Sequence, residues 1–330
     1  MKAIVFDRFG PPAEVLSVRD VPTPVPGRGE VLVRMLASPL NPSDLLYVAG
    51  EYGSRRPQLP ATPGFEGVGV VEASGGGGLG WLRRGQRVAV FNDGIGNWAE
   101  YTVVKALQVI PVPAQLPDEQ AATMLVNPAT ALAMTRAVLR VPSGEWLLQS
   151  AAGGELGKMV VRLGHRYGFR TIGVVRRREQ VDELTRLGAN AVVVEGDGAI
   201  DEQVRALTGG LGVPYAIDAV GGTTGSAVIS SLADRGRCLV YGGLAAQPVV
   251  VDPARLVFGA ITVEGFYLPH WLRRRPLPAQ LRHLSRVARL IQAGTLHTHV
   301  AARYPLSQIT DAVQHATSKG KGGKVLLQIG

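Results

Sequence analysis

Two stretches of this chain carry residue types at spacings suited to holding a phosphorylated cofactor. The first is Trp146-Leu147-Leu148-Gln149-Ser150-Ala151-Ala152-Gly153-Gly154-Glu155-Leu156-Gly157, which reads as a strand, a glycine turn and a helix start. A dinucleotide turn needs small residues where the chain reverses, where backbone meets pyrophosphate, and where the helix packs on the strand. Ala152-x-Gly154-x-x-Gly157 supplies all three, with alanine for the first glycine. The helix start then offers free N–H groups to the pyrophosphate. Glu155 is the awkward residue. A carboxylate in the first turn suits the helix dipole but repels a phosphate beside it, so it is expected to point to solvent. The second stretch is Val174-Val175-Arg176-Arg177-Arg178. An NAD site places an acid about 20 residues beyond the turn, for the ribose hydroxyls. Here three guanidiniums stand instead, and arginine grips phosphate in a forked, charge-assisted way. The expected cofactor is NADPH; the alternative is a solvated, basic helix start.

Metal chemistry has no comparable support. A catalytic zinc needs converging Cys, His or carboxylate ligands. The one cysteine, Cys238, sits in the apolar run Arg237-Cys238-Leu239-Val240 and reads as a core residue. His165, His270, His283, His297, His299 and His315 make no ligand set with an acidic partner; His297-x-His299 reads as surface histidines. No metal is expected.

The elements that must position these residues fall into three blocks. The first ~120 residues give short β-like runs, 3–6, 30–37, 67–73, 87–91 and 99–104, with frequent turns. Pro111, Pro113 and Pro117 mark a boundary. Helices are expected over 118–125 and 128–138. Strands and helices then alternate at βαβ spacing: strands 145–149, 171–175, 191–194, 215–219 and 238–241, helices 156–167 and 178–187. That pattern predicts a parallel sheet. The tail holds a helix over 281–293, with Leu284, Val287, Ala288 and Ile291 on one side, a second over 309–317, and a strand over 325–329. It is too small to be a domain and is expected to rejoin the N-terminal part. The formal charge of +9 permits attraction of polyanions. No apolar run reaches the roughly 18 residues of a membrane span and no cleavable apolar segment opens the chain, so a cytoplasmic protein is expected.

Further motifs complete the pattern: Asn41-Pro42-Ser43-Asp44 followed by Gly50-Glu51-Tyr52-Gly53; Gly64-Phe65-Glu66; Val126-Asn127-Pro128-Ala129-Thr130-Ala131; Tyr241-Gly242-Gly243-Leu244-Ala245-Ala246-Gln247-Pro248-Val249; Gly265-Phe266-Tyr267-Leu268-Pro269-His270-Trp271; and Gly323-Lys324-Val325-Leu326-Leu327. Over essentially its whole length the chain resembles the zinc-independent medium-chain dehydrogenases/reductases, and among them the 2-enoyl thioester reductases. Zinc-dependent members carry Cys-x-Ser-Asp and Gly-His-Glu where this chain has Asn41-Pro42-Ser43-Asp44 and Gly64-Phe65-Glu66.

The resemblance implies an α/β fold: a Rossmann doubly wound parallel sheet, plus a GroES-like β-rich catalytic domain built from both chain ends. The expected boundaries are 1–121 for the N-terminal part of the catalytic domain, 122–268 for the Rossmann domain, and 269–330 for the return segment. It also implies NADPH in the interdomain cleft and a homodimer formed through the Rossmann sheet. By position, Asn127 would sit near the nicotinamide ribose. Gly153, Gly154, Glu155 and Leu156 would line the pyrophosphate turn. Arg176, Arg177 and Arg178 would face the 2′-phosphate. Tyr241, Gly242, Gly243 and Leu244, with Phe266, Tyr267, Leu268 and Pro269, would frame the nicotinamide, and Lys324 would add a positive charge nearby. Two departures stand out: Glu155 in place of a glycine, and Tyr267 where relatives often carry tryptophan.

The implied activity is NADPH-dependent reduction of the C=C bond of an enoyl thioester on coenzyme A or an acyl carrier protein. In the family a tyrosine in this loop is the key acidic group, and Tyr52 matches it. Glu66 is expected to be structural, and neither Ser43 nor Asp44 is expected to be catalytic. Arg55, Arg56 and Arg273 to Arg275 would attract substrate phosphates, or form a solvated basic surface. The competing readings are an NADPH:quinone oxidoreductase or alkenal reductase and, from a different class, a nucleic-acid-binding relative. No RNA-binding motif with interleaved aromatics supports the last.

Overall fold

The computed structural model describes residues 1–53, 56–92, 96–320 and 322–330. The chain divides into two compact units, Met1–Val126 with Thr298–Gly330, and Asn127–His297.

In the first unit, strand Glu30–Pro39 is the organising element. It pairs antiparallel with Glu66–Ser74, Tyr101–Lys105 and the C-terminal strand Lys324–Gln328, with Leu326 opposite Pro39 and Gln328 opposite Ala37. The chain's tail is thereby stitched into the sheet of its beginning. One apolar cluster, Val31, Val33, Met35, Val71, Val88 and Val90 among others, lies on one side. A second, with Phe6, Tyr47, Phe65, Trp98, Val313 and Leu327, gathers helices Pro42–Ala49 and Ile309–Thr317.

The second unit holds a six-stranded parallel sheet. In spatial order it runs Ala191–Val194, Arg170–Val175, Trp146–Gln149, Val213–Asp218, Leu232–Val240, Thr262–Gly265. This is the order 3-2-1-4-5-6, which reverses direction beside Trp146–Gln149; sheets of this order take their ligands outside the strands' carboxyl ends at such a point. Its inner strands are nearly continuous apolar runs, as sheets covered on both faces require. Helix Glu155–Tyr167 buries Met159, Val160, Val161 and Leu163 and ends on Gly168, whose left-handed φ of +77° suits a helix stop.

Several details differ from expectation. The helix expected over 128–138 starts at Asn127 and changes at Ala133 to a π-helix that runs to Val138. Residues 269–297, expected in the return segment, cluster with the second unit, and the return begins at Thr298. There the ring Nε2 of His283, on helix Leu277–Gln292, lies 3.0 Å from the Ala129 carbonyl oxygen. An apolar helical face shows that a helix packs, but not on which partner. The short strand Thr262–Gly265 lies outside every expected element, because Thr262, Glu264 and Gly265 leave no apolar run of the kind that marks strands of the same length elsewhere.

Candidate active site

The glycine turn follows the first strand of the parallel sheet. Ala151 takes φ +50°, a left-handed conformation uncommon outside glycine, and its carbonyl accepts from the Gly154 N–H at 3.0 Å. Ala152 is fully buried and donates to Val174 O at 3.1 Å. A Cβ on Gly157 would fall 2.4 Å from Ala152 O, so only glycine lets the helix sit this close to the turn. The N-cap, Gly154, gives no side-chain cap, which leaves the first-turn amides to a phosphate. This is a cradle that fits a dinucleotide pyrophosphate. It is braced from the next strand: the Ser150 hydroxyl donates to Asp218 Oδ1 at 2.5 Å, and Asp218 also accepts from Val220 and Gly221 N–H.

Glu155 does not point to solvent, contrary to expectation. Its side chain is 7% exposed and its Oε1 lies 3.5 Å from Lys158 Nζ, which also reaches Glu183 Oε1 at 2.6 Å. The i,i+3 spacing of Glu155 and Lys158 is a local signal for this contact, but Glu183, 28 residues away on helix Gln180–Arg186, has none.

The three arginines follow the end of strand Arg170–Val175 and are all exposed. They are not equivalent. Arg178 donates to Asp197 Oδ2 at 2.5 Å, whereas Arg176 and Arg177 make no ion pair among the described residues. Tyr241–Leu244 and Phe266–Pro269 begin just beyond the carboxyl ends of neighbouring parallel strands, and Phe266 N–H bonds Val240 O at 2.8 Å. Phe266 and Leu268 are buried, Tyr267 and Pro269 half-buried, and Gly242, Gly243 and Leu244 exposed. Asn127 opens its helix in the same unit. Cys238 is buried and its burial raises its pKa, so its thiol stays protonated and inert.

In the first unit, Asn41, Phe65 and Glu66 are each engaged by neighbouring side chains. Phe65 packs edge-on to Tyr47 at 5.3 Å and tilted on Tyr52 at 5.2 Å between ring centres. Beside it lies a buried polar network. Asn41 donates to Glu66 Oε1 at 3.0 Å and accepts from Lys324 Nζ at 2.6 Å. Glu66 Oε2 accepts from the Leu125 and Val126 amides at 3.0 and 2.9 Å. Asp44 takes the Asn41 and Phe65 amides at 2.7 and 2.9 Å. Glu66 therefore fastens the strand it begins to the segment that ends this unit. Lys324 is 5% exposed, so its charge serves this network from inside the unit. Among the described residues no three His, Cys, Asp or Glu side chains gather as a metal-ligand set. Arg56 lies over the Phe9 ring at 5.6 Å; Arg55 is outside the described residues. Arg273 and Arg274 are exposed, while Arg275 stacks on Trp271 at 3.7 Å.

Burial pushes the Asp44 pKa up to about 7, against two amide hydrogen bonds that lower it; burial raises that of Glu66 too. With a raised pKa, folded Asp44 holds a proton that the unfolded chain releases near pH ~4. Stability therefore falls as pH rises from about 4 to 7. Thermal midpoints measured across that window should decline with pH in the wild type, and Asp44→Asn should flatten the slope; equal slopes would clear Asp44 of the effect.

Similarity to known proteins agrees with this geometry. A family model described as alcohol dehydrogenase GroES-like domain matches residues 27–114, and one described as zinc-binding dehydrogenase matches residues 156–286. The mitochondrial enoyl-[acyl-carrier-protein] reductase of Bos taurus is 33% identical over 332 residues, covering 99% of this chain and 88% of the relative. A solved structure titled a putative NADPH:quinone reductase, from Bacillus thuringiensis, superposes with a TM-score of 0.91 at 34% identity, covering 99% of this chain and 98% of the other. A mycobacterial protein solved in complex with NADPH superposes at 0.88, with 30% identity, 99% of this chain and 100% of the other covered.

Proposed function

Because the chain belongs to the zinc-independent medium-chain dehydrogenase/reductase family, we propose that it is an NADPH-dependent reductase of the C=C bond of 2-enoyl thioesters. The observation that carries the reading is the aromatic occupant of the metal position: Phe65 cannot bind a metal, and the phenol packed against it, Tyr52, can donate a proton. Bound NADPH supplies the hydride. The amides of the glycine turn hold its pyrophosphate, Arg176 and Arg177 its 2′-phosphate, and Asn127, with the segments 241–244 and 266–269, its nicotinamide end. As Cβ of the substrate is reduced, negative charge grows on the thioester oxygen. A donor aimed at that oxygen does the polarising that a metal does elsewhere. Tyr52 fills this role: its phenol donates a hydrogen bond to the growing enolate oxygen and then gives its proton to Cα, and the phenolate left behind regains a proton from water.

A second reading, quinone reduction, is favoured by the likeness to the Bacillus thuringiensis structure. One assay separates them: NADPH oxidation with crotonyl-CoA, the same acyl group on a carrier protein, an alkenal and a quinone. Enoyl thioesters should be reduced with the highest kcat/KM; a higher value with quinone would reverse the assignment.

The carrier is read as coenzyme A or an acyl carrier protein. No acidic residue falls between Glu264 and Asp311, and Arg273, Arg274, Arg282 and Arg289 are exposed there, a surface suited to an anionic carrier. Among the described residues no helix is long and apolar enough to cross a membrane. We read the protein as cytoplasmic, whereas the Bos taurus enoyl reductase it resembles is named as mitochondrial.

The proposal includes a homodimer. Strand Thr262–Gly265 ends the six-stranded sheet, and Val250, Val257 and Phe258 nearby in sequence are 72%, 69% and 85% exposed. Unpaired edges and exposed apolar groups of this kind mark interfaces. Light scattering should give the mass of two chains, and Phe258→Asp should shift it toward one. A monomeric wild type would refute this.

A further inference from the structure

Glu155 raises a physical problem that the dinucleotide turn does not solve by itself. It is the first residue of helix Glu155–Tyr167. Helical side chains lean toward the N-terminus, so its carboxylate would by default hang over the first-turn amides. It would then compete for the donors that a pyrophosphate needs, with charge of the same sign.

The side chains around it supply the solution. Lys158 is one turn along the same helix face, and its side chain is 9% exposed. Its ammonium sits between two carboxylates, 3.5 Å from Glu155 and 2.6 Å from Glu183. Arg162 continues the face one turn further and feels both carboxylates, which oppose the lowering of its pKa by burial. It is fixed by donating to His297 O at 2.6 Å. Lys158 thus bridges the two carboxylates, and the nearby Arg162 balances the remaining negative charge behind the turn. Three of these residues share one helix, and the fourth, Glu183, comes from the helix after the next strand.

We propose that Lys158 is a positioning residue for the cofactor: by holding the Glu155 carboxylate against the helix flank, it keeps the pyrophosphate cradle open and electrically neutral. The inference rests on the reading that this turn holds the pyrophosphate. It concerns a group shared by NADPH and NADH, which separates it from the arginines at the 2′-phosphate.

The test is the Kd for NADPH and for NADH, measured by isothermal titration on the full chain with no substrate present. Lys158→Met should raise both Kd values about tenfold, a loss of about 1.4 kcal/mol. The loss should shrink as salt is raised, because charge repulsion is screened, and Lys158→Arg should retain most of the affinity. In Lys158→Met/Glu155→Gln the affinity should return, since the released carboxylate is gone. If Lys158→Met does not fold, Glu155→Gln alone still decides: it should bind at least as tightly as wild type, and weaker binding overturns the proposal. Equal Kd values for wild type and Lys158→Met, or a loss that Glu155→Gln does not relieve, also overturn it. A wild type that binds neither cofactor defeats the reading of the turn instead.

Discussion

Tyr52→Phe should lower kcat for enoyl-thioester reduction by about a hundredfold or more, the usual scale for losing a positioned proton donor. The substitution keeps the ring, and the ring is what packs: Tyr52 lies 5.2 Å from Phe65 and joins the cluster of Phe6, Tyr47 and Trp98. Folding and NADPH affinity should therefore change little, and the loss should fall on kcat more than on KM. Such a split marks an interaction made in the transition state. A variant that keeps most of its kcat would remove Tyr52 from the chemistry. The proposal would then need another donor to the thioester oxygen.

Arg176→Ala/Arg177→Ala should lower kcat/KM with NADPH by about a hundredfold while leaving NADH nearly untouched. Each guanidinium contributes a charge-assisted bond to a dianionic phosphate, worth roughly 1.5–3 kcal/mol. Arg178→Ala should cost far less. Its guanidinium is already engaged by Asp197, its side chain is 73% exposed, and exposed pairs contribute little. The ranking is a sharper test than any single variant. If Arg178→Ala proved the most damaging, the Asp197 pair must open on binding; a double variant that lost NADH to the same extent would show a general structural effect. The Lys158 variants, by contrast, should affect both cofactors alike.

Much of the fold was readable because it is written locally. Alternating strand and helix patterns over 145–241 announced a parallel sheet, and Gly154 and Gly157 announced a turn where backbone must come close. The tail's return to the first sheet was inferred from its small size and from the family resemblance. Its register, Leu326 against Pro39, is a pairing across nearly the whole chain. The two-residue contact of Glu66 with the Leu125 and Val126 amides was likewise invisible, since nothing near Glu66 in sequence names its partners. A phenylalanine at position 65 leaves Glu66 no metal to bind, and its hydrogen bonds to Asn41, Leu125 and Val126 give its structural role a physical content.

The amino-acid sequence by itself determined what chemistry is available: a glycine turn suited to a phosphate and arginines in place of a ribose-binding acid, which are properties of residue type and short spacing and survive any arrangement of the rest. The phenylalanine where zinc-dependent relatives carry a metal ligand, and the tyrosine matched to an acid, came through the family resemblance. Only the tertiary structure decided how the charges are disposed. Lys324 lies inside the first unit on Asn41, 283 positions away; Glu155 turns inward toward Lys158, which Glu183 also holds; Arg178 is taken by Asp197. The reason is the cost of desolvation. A buried charge is tolerated only where an opposite charge or a donor converges on it, and which groups converge is set by the packing of distant elements.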